Sequence, residues 1–164
     1  MSQGAPAGFV PASTINGTPS FPYIIDTSVA FKWYVPESDS AEAQQYLRVG
    51  LERHAPDLLP LEGTHALLKR VRSTNPVLRL TARDAERIAT EFRDSPLIKY
   101  HSCIPLLEPG MALAIEIGAS VYDGLFLALA IEKKGRVVTA DRPFHDKIVA
   151  SSHSSFVRWF MDAP

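Results

Sequence analysis

Four acidic residues lie where the predicted elements of this chain would bring carboxylates together. Asp26 ends one apolar run and Asp141 follows another, while Glu62 and Asp123 fall in the first turns of predicted helices. In an open parallel sheet the ligand crevice lies outside the carboxyl ends of the strands, so all four side chains can point into one crevice. Carboxylates that converge away from water repel one another unless a cation neutralises them. Oxygen-only ligands of this kind suit Mg²⁺ or Mn²⁺ rather than zinc.

Each of these acids, taken singly, also has a purely structural explanation. Asp26 and Asp141 can each cap the helix that follows them. Glu62 can complement a helix dipole, and Asp123 can complete a capping box with Ser120. Capping explains one such acid more easily than it explains four at the same edge of a sheet. Both interpretations therefore stay open, with the metal site as the sharper hypothesis.

The order of the predicted elements explains how the acids are positioned. Apolar runs and turn signals predict strands at residues 23–25, 54–59, 97–101, 136–139 and 156–159. Apolar periodicity predicts helices at residues 29–34, 39–51, 61–72, 81–92, 111–117, 120–133 and 144–150. Strands that alternate with helices pair in parallel and are covered on both faces. The predicted fold class is α/β, a three-layer α/β/α sandwich around a central, mostly parallel sheet.

Local signatures set several of the predicted helix ends. Three pairs have the spacing of a capping box at a helix start: Asp39 with Glu42, Thr81 with Asp84, and Ser120 with Asp123. Glycines are predicted to end two helices, at Gly118 and at Gly135. These signatures fix where the acids at the helix starts should lie.

The composition of the chain limits the classes of protein to which it can belong. The chain has 164 residues, of which 46% are hydrophobic, and a formal net charge of −1. No apolar run approaches the ~18 residues that a spanning helix needs, so no association with a membrane is expected. The single cysteine, Cys103, excludes a disulfide framework and suits a reducing compartment, for which we expect the cytoplasm. The near-neutral charge argues against coating nucleic acid through bulk charge but leaves a local basic groove open.

The first 22 residues differ in composition from the rest of the chain. They contain four prolines and no charged side chain. Such a stretch buries too little apolar surface to offset the entropy of ordering it, which predicts a flexible tail at residues 1–22. It also lacks the basic start and unbroken apolar core of a secretory signal. The functional domain is expected at residues 23–164.

Four segments, in one order and at compatible spacing, resemble a known family. They are IDTSVAFKWYVPE, LLPLEGTHALLKRV, SVYDGLFLALAIEKKG and VVTADRPF. They resemble the four motif blocks of PIN-domain ribonucleases, most closely the VapC-like toxins of bacterial toxin–antitoxin pairs. The resemblance implies a metal-dependent endoribonuclease that uses Mg²⁺ or Mn²⁺ and acts on RNA. It also implies a homodimer with a protein antitoxin as partner.

The resemblance assigns roles to individual residues of this sequence. Its acidic site corresponds to Asp26, Glu62, Asp123 and Asp141, as metal ligands and catalytic groups. The hydroxyls of Ser28 and Thr139 match positions that line that site. One block departs from the family pattern: E-V-A-N-A-L reads EGTHAL here, which places Gly63 and His65 beside Glu62. His65 lies three residues from Glu62 on one helical face, so it can support Glu62 by hydrogen bonding, touch the metal or protonate a leaving group.

Basic and aromatic residues near the acids suggest partner surfaces. A phosphate-contacting rim for RNA is predicted at Lys32, Lys69, Arg70 and Arg72. The alternative is an ordinary solvated helix face. Trp33 and Tyr34, in a short helix, are predicted to contribute apolar surface to the homodimer.

Other chemistries find little support in the sequence. The chain has neither a G-x-S-x-G nor a P-loop lysine motif, and its five histidines show no H-E-x-x-H spacing. The turn at Asp26 resembles the start of haloacid-dehalogenase-type phosphatases, but that family needs a second aspartate where this chain has Ser28. A PIN scaffold that binds nucleic acid or a protein without cutting remains the alternative to a nuclease.

Overall fold

The computed structural model describes residues 13–15 and 18–164. Two short strands, β1 (Ser13–Ile15) and β2 (Thr18–Ser20), pair antiparallel with each other. Five further strands form the main sheet: β3 (Tyr23–Ile25), β4 (Arg53–Pro56), β5 (Lys99–His101), β6 (Arg136–Thr139) and β7 (Val157–Trp159). Their order across the sheet is β5-β4-β3-β6-β7, and every neighbouring pair is parallel. The predicted parallel sheet is confirmed.

Within the described residues, seven α-helices connect the strands. They are α1 (Thr27–Tyr34), α2 (Ser40–Gln44), α3 (Leu59–Val71), α4 (Ala82–Arg93), α5 (Leu107–Ile117), α6 (Val121–Lys133) and α7 (Arg142–Val149). Short 3₁₀ turns lie at Gln45–Leu47, Ile104–Leu106 and Ser154–Phe156. Helices α1 to α4 pack among themselves, whereas α5 packs on α6, which contacts β3, β4 and β6. The arrangement is the predicted α/β/α sandwich.

The core lies along the two central strands. Every residue of β3 is buried, as are Val137, Val138 and Thr139 of β6. Strands covered on both faces read as continuous apolar runs, which is why this part of the sheet is visible in the sequence. The ends of β3 and β6 therefore hold whatever follows them in fixed positions.

The helix ends agree with the sequence signatures in some places and not in others. The predicted capping box at Ser120 is complete and begins α6. At Thr81 only half of the predicted box is present: the hydroxyl accepts from the backbone of Asp84 at the start of α4, but the Asp84 carboxylate is bound by that hydroxyl and not by the Thr81 backbone. The capping box predicted at Asp39 is wrong, because the Asp39 carboxylate is hydrogen-bonded to Lys32 instead and α2 ends at Gln44. Gly118 ends α5 in the left-handed conformation, at φ 65°.

The end of α6 differs from the prediction in one residue. Lys134, not Gly135, adopts the left-handed conformation there, at φ 51°. Gly135 is needed for another reason: a Cβ at this position would lie 2.3 Å from the carbonyl oxygen of Pro22. The glycine lets the chain pass close to the residue before β3, and the backbone of Arg136 then hydrogen-bonds that same oxygen.

The predicted tail falls mostly outside the described residues. Residues 1–12, 16 and 17 are not described, so the flexibility of the tail and the domain boundary stay predictions. Across residues 13–15 and 18–164, no single helix is long and apolar enough to cross a membrane, and α5 and α6 meet the criteria only as a pair bent by 111°.

Candidate active site

Two of the acids are positioned by the central strands. Asp26 directly follows β3, and its backbone N–H donates to Val138 of the neighbouring β6 at 3.0 Å. Asp141 lies two residues beyond the end of β6 and caps α7, where Oδ1 accepts a hydrogen bond of 3.0 Å from the backbone of Phe144. Because β3 and β6 are parallel neighbours, both acids lie at the same edge of the sheet.

The other two acids come from helix starts. Glu62 lies in the first turn of α3, and Asp123 lies in the first turn of α6. One cavity of about 630 Å³ is lined by Asp26, Glu62, Asp123 and Asp141 together. The structure therefore brings all four acids together, as the order of the elements predicts.

Asp26 is the most enclosed of the four. Its side chain is buried, and Oδ2 accepts hydrogen bonds from the hydroxyls of Ser28 and Thr139, the latter at 2.7 Å. Loss of solvent raises the pKa of Asp26, and the charges of Asp123 and Asp141 add to that effect, while the two hydroxyls oppose it. The net direction is upward, which marks a carboxylate that lacks a compensating positive charge.

Glu62 is perturbed in the same direction. Burial raises the pKa of Glu62 to about 7, against the opposing hydrogen bond from Thr27 and with added repulsion from Asp26 and Asp123. The Thr27 hydroxyl donates to Oε2 at 2.6 Å. Sequence reasoning did not identify Thr27, although it stands beside Asp26 in the same motif. A carboxyl group with a pKa near neutrality can both take up and release a proton at physiological pH.

The hydroxyls predicted to line the site form a connected set. Besides its bond to Asp26, the Thr139 hydroxyl accepts a hydrogen bond of 2.9 Å from the backbone of Asp141. The Ser28 hydroxyl likewise accepts one of 3.0 Å from the backbone of Ala140. Each hydroxyl thus ties the Asp26 side chain to the backbone that leads into Asp141.

A shared pattern emerges from the hydrogen bonds of the four carboxylates. In each, one oxygen accepts the bonds that hold the side chain in place: Oδ2 of Asp26, Oε2 of Glu62, Oδ2 of Asp123 and Oδ1 of Asp141. The other oxygen of each has no hydrogen-bond donor among the residues that the structure describes. Asp123 and Asp141 therefore combine capping with a free oxygen for a ligand, because each role uses a different oxygen. The structural explanation offered for Asp26 is not met, because its side chain makes no capping hydrogen bond to α1.

The departures from the family pattern in α3 have distinct consequences. His65 is exposed and lines the cavity, but no hydrogen bond joins it to Glu62 in the described part of the chain. Its predicted role in supporting Glu62 therefore stays a prediction. Gly63 faces the core instead, where a Cβ would lie 2.9 Å from the ring of Phe92. The large ring of Phe92 fills the space that a larger residue at position 63 would need.

The predicted basic rim is only partly present. Lys69 is exposed and lines the cavity, whereas Arg72 is exposed but not among its lining residues. Lys32 is buried, with its ammonium 2.6 Å from Glu37 and 2.7 Å from Asp39. Arg70 is also paired with Glu37. The predictions for Lys32 and Arg70 are therefore corrected: their charges are already neutralised within the fold.

Trp33 and Tyr34 contribute to packing within the chain. Both are half-buried and pack against the core. The indole of Trp33 donates to the carbonyl of Ala43 at 2.9 Å, and the Tyr34 ring lies edge-on to Phe92 with centroids 4.9 Å apart. Their predicted contribution to a homodimer stays a prediction.

Comparison with known proteins identifies the family. No protein-family model matches the chain. The chain is 30% identical over 128 residues to Ribonuclease VapC3 of Pyrobaculum aerophilum, an alignment that covers 77% of this chain and 95% of that protein. The chain belongs to the VapC ribonuclease family. The fold agrees with that of PAE2754 from Pyrobaculum aerophilum, whose crystal structure covers 87% of this chain with a TM-score of 0.57 at 19% identity, over 86% of its own length.

The acids of this VapC-family chain match a hard divalent cation in donor chemistry. All four side chains offer carboxylate oxygens, and each has one oxygen without a protein donor, as described above. Within residues 13–15 and 18–164, no three His, Cys, Asp or Glu side chains are already arranged to hold a metal ion. Mg²⁺ commonly binds through one or two carboxylates and keeps water in its other positions, so a pair of these acids satisfies its needs.

Proposed function

We propose that this protein is a Mg²⁺- or Mn²⁺-dependent endoribonuclease, the toxin of a toxin–antitoxin pair. The observation that carries the proposal is the single cavity lined by four carboxylates, each with a free oxygen, in a chain of the VapC family. The upward pKa shifts of Asp26 and Glu62 support it, because a bound cation would relieve both.

The metal ligands follow from the positions of the acids. Asp26 and Asp141, held at adjacent strand ends, would bind the ion directly, with Asp123 as a further ligand and Glu62 binding it or orienting water. When bound, such an ion lowers the pKa of a coordinated water and offsets the charge that develops on the phosphate oxygens. The hydroxyls of Ser28 and Thr139 fix the Asp26 carboxylate, so its Oδ1 is presented to the cavity.

Glu62 has the properties of a general base. The pKa of Glu62 is about 7 in the metal-free protein, and a bound cation would lower it. The carboxylate would then be charged at neutral pH, and its free Oε1 could accept a proton from an attacking water. The Thr27 hydroxyl holds the other oxygen and so fixes the orientation of the carboxylate. The same group can return the proton to the leaving oxygen in the reverse role.

The substrate is positioned by charge at the cavity. Lys69 is the predicted basic residue that lines the cavity, and Arg72 extends the positive charge along the exposed surface of α3. Both are placed to contact phosphates of an RNA whose backbone crosses the acids. A single-stranded or looped RNA exposes its phosphates to a water in line with the leaving oxygen.

A homodimer and an antitoxin complete the proposal. Four exposed apolar residues form a stripe, called here the α5 stripe: Ile104, Leu107, Met111 and Ile115. Leu107, Met111 and Ile115 lie on one face of α5, and Ile104 lies in the 3₁₀ turn that precedes it. Together they offer a surface suited to a second copy of the chain. Light scattering should give a dimer mass for the wild type and a monomer mass for Met111→Glu.

An antitoxin would act at the acids themselves. We expect it to place a basic side chain at the carboxylates, in competition with the metal. The protein encoded beside this one should then inhibit cleavage, and excess Mg²⁺ should weaken that inhibition. We place both proteins in the cytoplasm, in keeping with the one free cysteine.

The experiment that tests the function compares variants of the acids. Asp26→Asn and Asp141→Asn keep the side-chain shape but remove a charge, so each should abolish Mg²⁺-dependent cleavage of single-stranded RNA. The double variant should be little worse than either single, because the residues act as a unit. Asp146→Asn is the matched control, an exposed carboxylate on α7 outside the cavity.

Two outcomes would contradict the proposal. Cleavage that continues undiminished in EDTA would exclude a metal-dependent nuclease. RNA binding by the wild type without metal-dependent cleavage would instead indicate the non-catalytic scaffold.

A further inference from the structure

Two exposed apolar side chains stand beside two of the acids. Leu61 directly precedes Glu62, and Tyr122 directly precedes Asp123. Leu61 is 69% exposed and Tyr122 is 54% exposed, yet both line the cavity that holds the acids. The first turns of α3 and α6 thus each present an acid and an apolar side chain to one cavity.

These two side chains are not explained by the fold. Neither belongs to the buried core, and exposed apolar surface is unfavourable unless a ligand or partner covers it. The cavity has a volume of about 630 Å³, within the ~300–1,000 Å³ that is typical of sites for small organic ligands. Apolar surface, carboxylates and the cation of Lys69 therefore share a cavity that has room for a further group.

We propose that Tyr122 and Leu61 form a nucleobase subsite that stacks an unpaired base of the RNA beside the scissile phosphate. The inference deepens the proposed function, on which it rests. A nucleotide is the ligand whose parts match this cavity: its phosphate meets Lys69 and the acid-bound cation, and its flat base covers the tyrosine ring. An antitoxin segment with a basic side chain would cover the same apolar pair, and it is the alternative occupant that the test below distinguishes from RNA.

The subsite has a consequence for the substrate class. A base within an RNA duplex is stacked on both faces and cannot lie on Tyr122. Stacking tolerates any base, because every base has an aromatic face. Tyr122 and Leu61 are therefore positioning residues that select unpaired RNA over duplex RNA without reading a particular base.

The test measures cleavage by the full-length protein with Mg²⁺. The substrates are a single-stranded RNA oligonucleotide and the same oligonucleotide with one abasic nucleotide beside the cleaved phosphate. Tyr122→Ala should raise KM for the intact RNA by about 5- to 150-fold, the loss of one stacked base. The kcat should stay within about twofold of wild type, because the interaction is lost equally from the bound and transition states. Tyr122→Phe, which keeps the ring, should bring KM back toward the wild-type value.

The abasic RNA separates stacking from a structural effect. The KM of the wild type should rise by the same factor on this RNA, and the KM of Tyr122→Ala should rise no further. Val77→Ala, a substitution of an 88% exposed apolar residue outside the cavity, is the control and should match wild type on both RNAs. Equal melting temperatures for all the variants would show that the fold is intact.

The outcomes distinguish a failure of the subsite from a failure of the proposed nuclease function. An active wild type whose KM is unchanged by Tyr122→Ala overturns the subsite alone and leaves the apolar pair to a protein partner. A wild type that cleaves no RNA with Mg²⁺ overturns the proposed function, and the subsite falls with it.

Discussion

The hydroxyl of Thr139 donates a hydrogen bond of 2.7 Å to the carboxylate of Asp26, across a separation of 113 residues in the chain. Thr139 is fully buried, and the same hydroxyl accepts a hydrogen bond from the backbone of Asp141. One oxygen atom therefore couples two strand ends and two acids. Removal of this hydroxyl should lower the stability of the fold and also disturb the positions of the two acids.

Thr139→Val should destabilise the protein and weaken its metal-dependent activity. The substitution keeps the side-chain shape but removes a buried donor and acceptor, so the free energy of unfolding should fall by about 1–3 kcal/mol. Without this donor the pKa of Asp26 should rise further, which disfavours the charged form that binds metal. Chemical denaturation and Mg²⁺ titration of cleavage provide the measurements. Thr139→Ser should recover most of both losses, and Thr90→Val on the exposed face of α4 is the control.

Glu62 should make the metal-free protein less stable as the pH rises from about 4.5 to about 7. The folded state holds this proton more tightly than the unfolded state does, so it binds more protons over that range and loses stability when they leave. Glu62→Gln should remove this pH dependence and be more stable than wild type at pH 8. Thermal melting in EDTA across this range is the measurement, with Glu108→Gln on the surface of α5 as the control. A wild-type stability that rises over the same range would contradict the raised pKa.

Lys69 and Lys32 should give opposite results when substituted. Lys69→Ala should weaken RNA binding and lower the salt dependence of binding by about one ion, because Lys69 lines the cavity and has no carboxylate partner in the described ranges. Lys32→Met should instead lower the free energy of unfolding by about 1–3 kcal/mol, because it leaves the Asp39 carboxylate without its cation and Glu37 with Arg70 alone. RNA binding as a function of salt and chemical denaturation distinguish the two roles. If a fully folded Lys32→Met variant bound RNA more weakly than wild type, Lys32 would belong to the basic rim that contacts RNA after all.

Gly63 and Phe92 should behave as a coupled pair. Gly63→Ala places a methyl group 2.9 Å from the buried Phe92 ring, so overpacking should cost about 1–3 kcal/mol of unfolding free energy. Phe92→Leu makes room for that methyl group. The double variant should therefore be more stable than the sum of the two single losses predicts. Strict additivity in a double-mutant cycle would show that the ring moves aside without cost.

The sequence predicted the acids because their positions depend on local patterns. The apolar run before Asp26, the run before Asp141 and the Ser120 capping box each identify an element end from neighbouring residues alone. Parallel pairing then brings strand ends to one edge, so convergence follows from element order. That reasoning needs no knowledge of side-chain contacts, which is why it held for all four acids.

The errors share a different cause, since each involved a contact between side chains that the local sequence pattern does not reveal. Asp39 has the spacing of a helix cap, but the ammonium of Lys32 binds its carboxylate more favourably than a backbone amide. Arg70 looks like a free surface cation until Glu37 is found beside it, 33 positions away. The packing of the core against Trp33 and Tyr34 is likewise not visible in the sequence. A charge or ring in the sequence does not reveal whether the fold already contains its partner.

β6 follows β3, β4 and β5 in the chain, so it is synthesised late, although it is the direct neighbour of β3 in the sheet. Translation releases Asp26 and Glu62 early, but Thr139 and Asp141 emerge only after α6. Until then β3 lacks its neighbour on one side, and Asp26 lacks both the hydroxyl that orients it and the acid that faces it. A chain that ends before β6 therefore lacks Asp141 and the hydroxyl of Thr139, so we expect the four-acid cavity to assemble only after β6 and α7 have been synthesised.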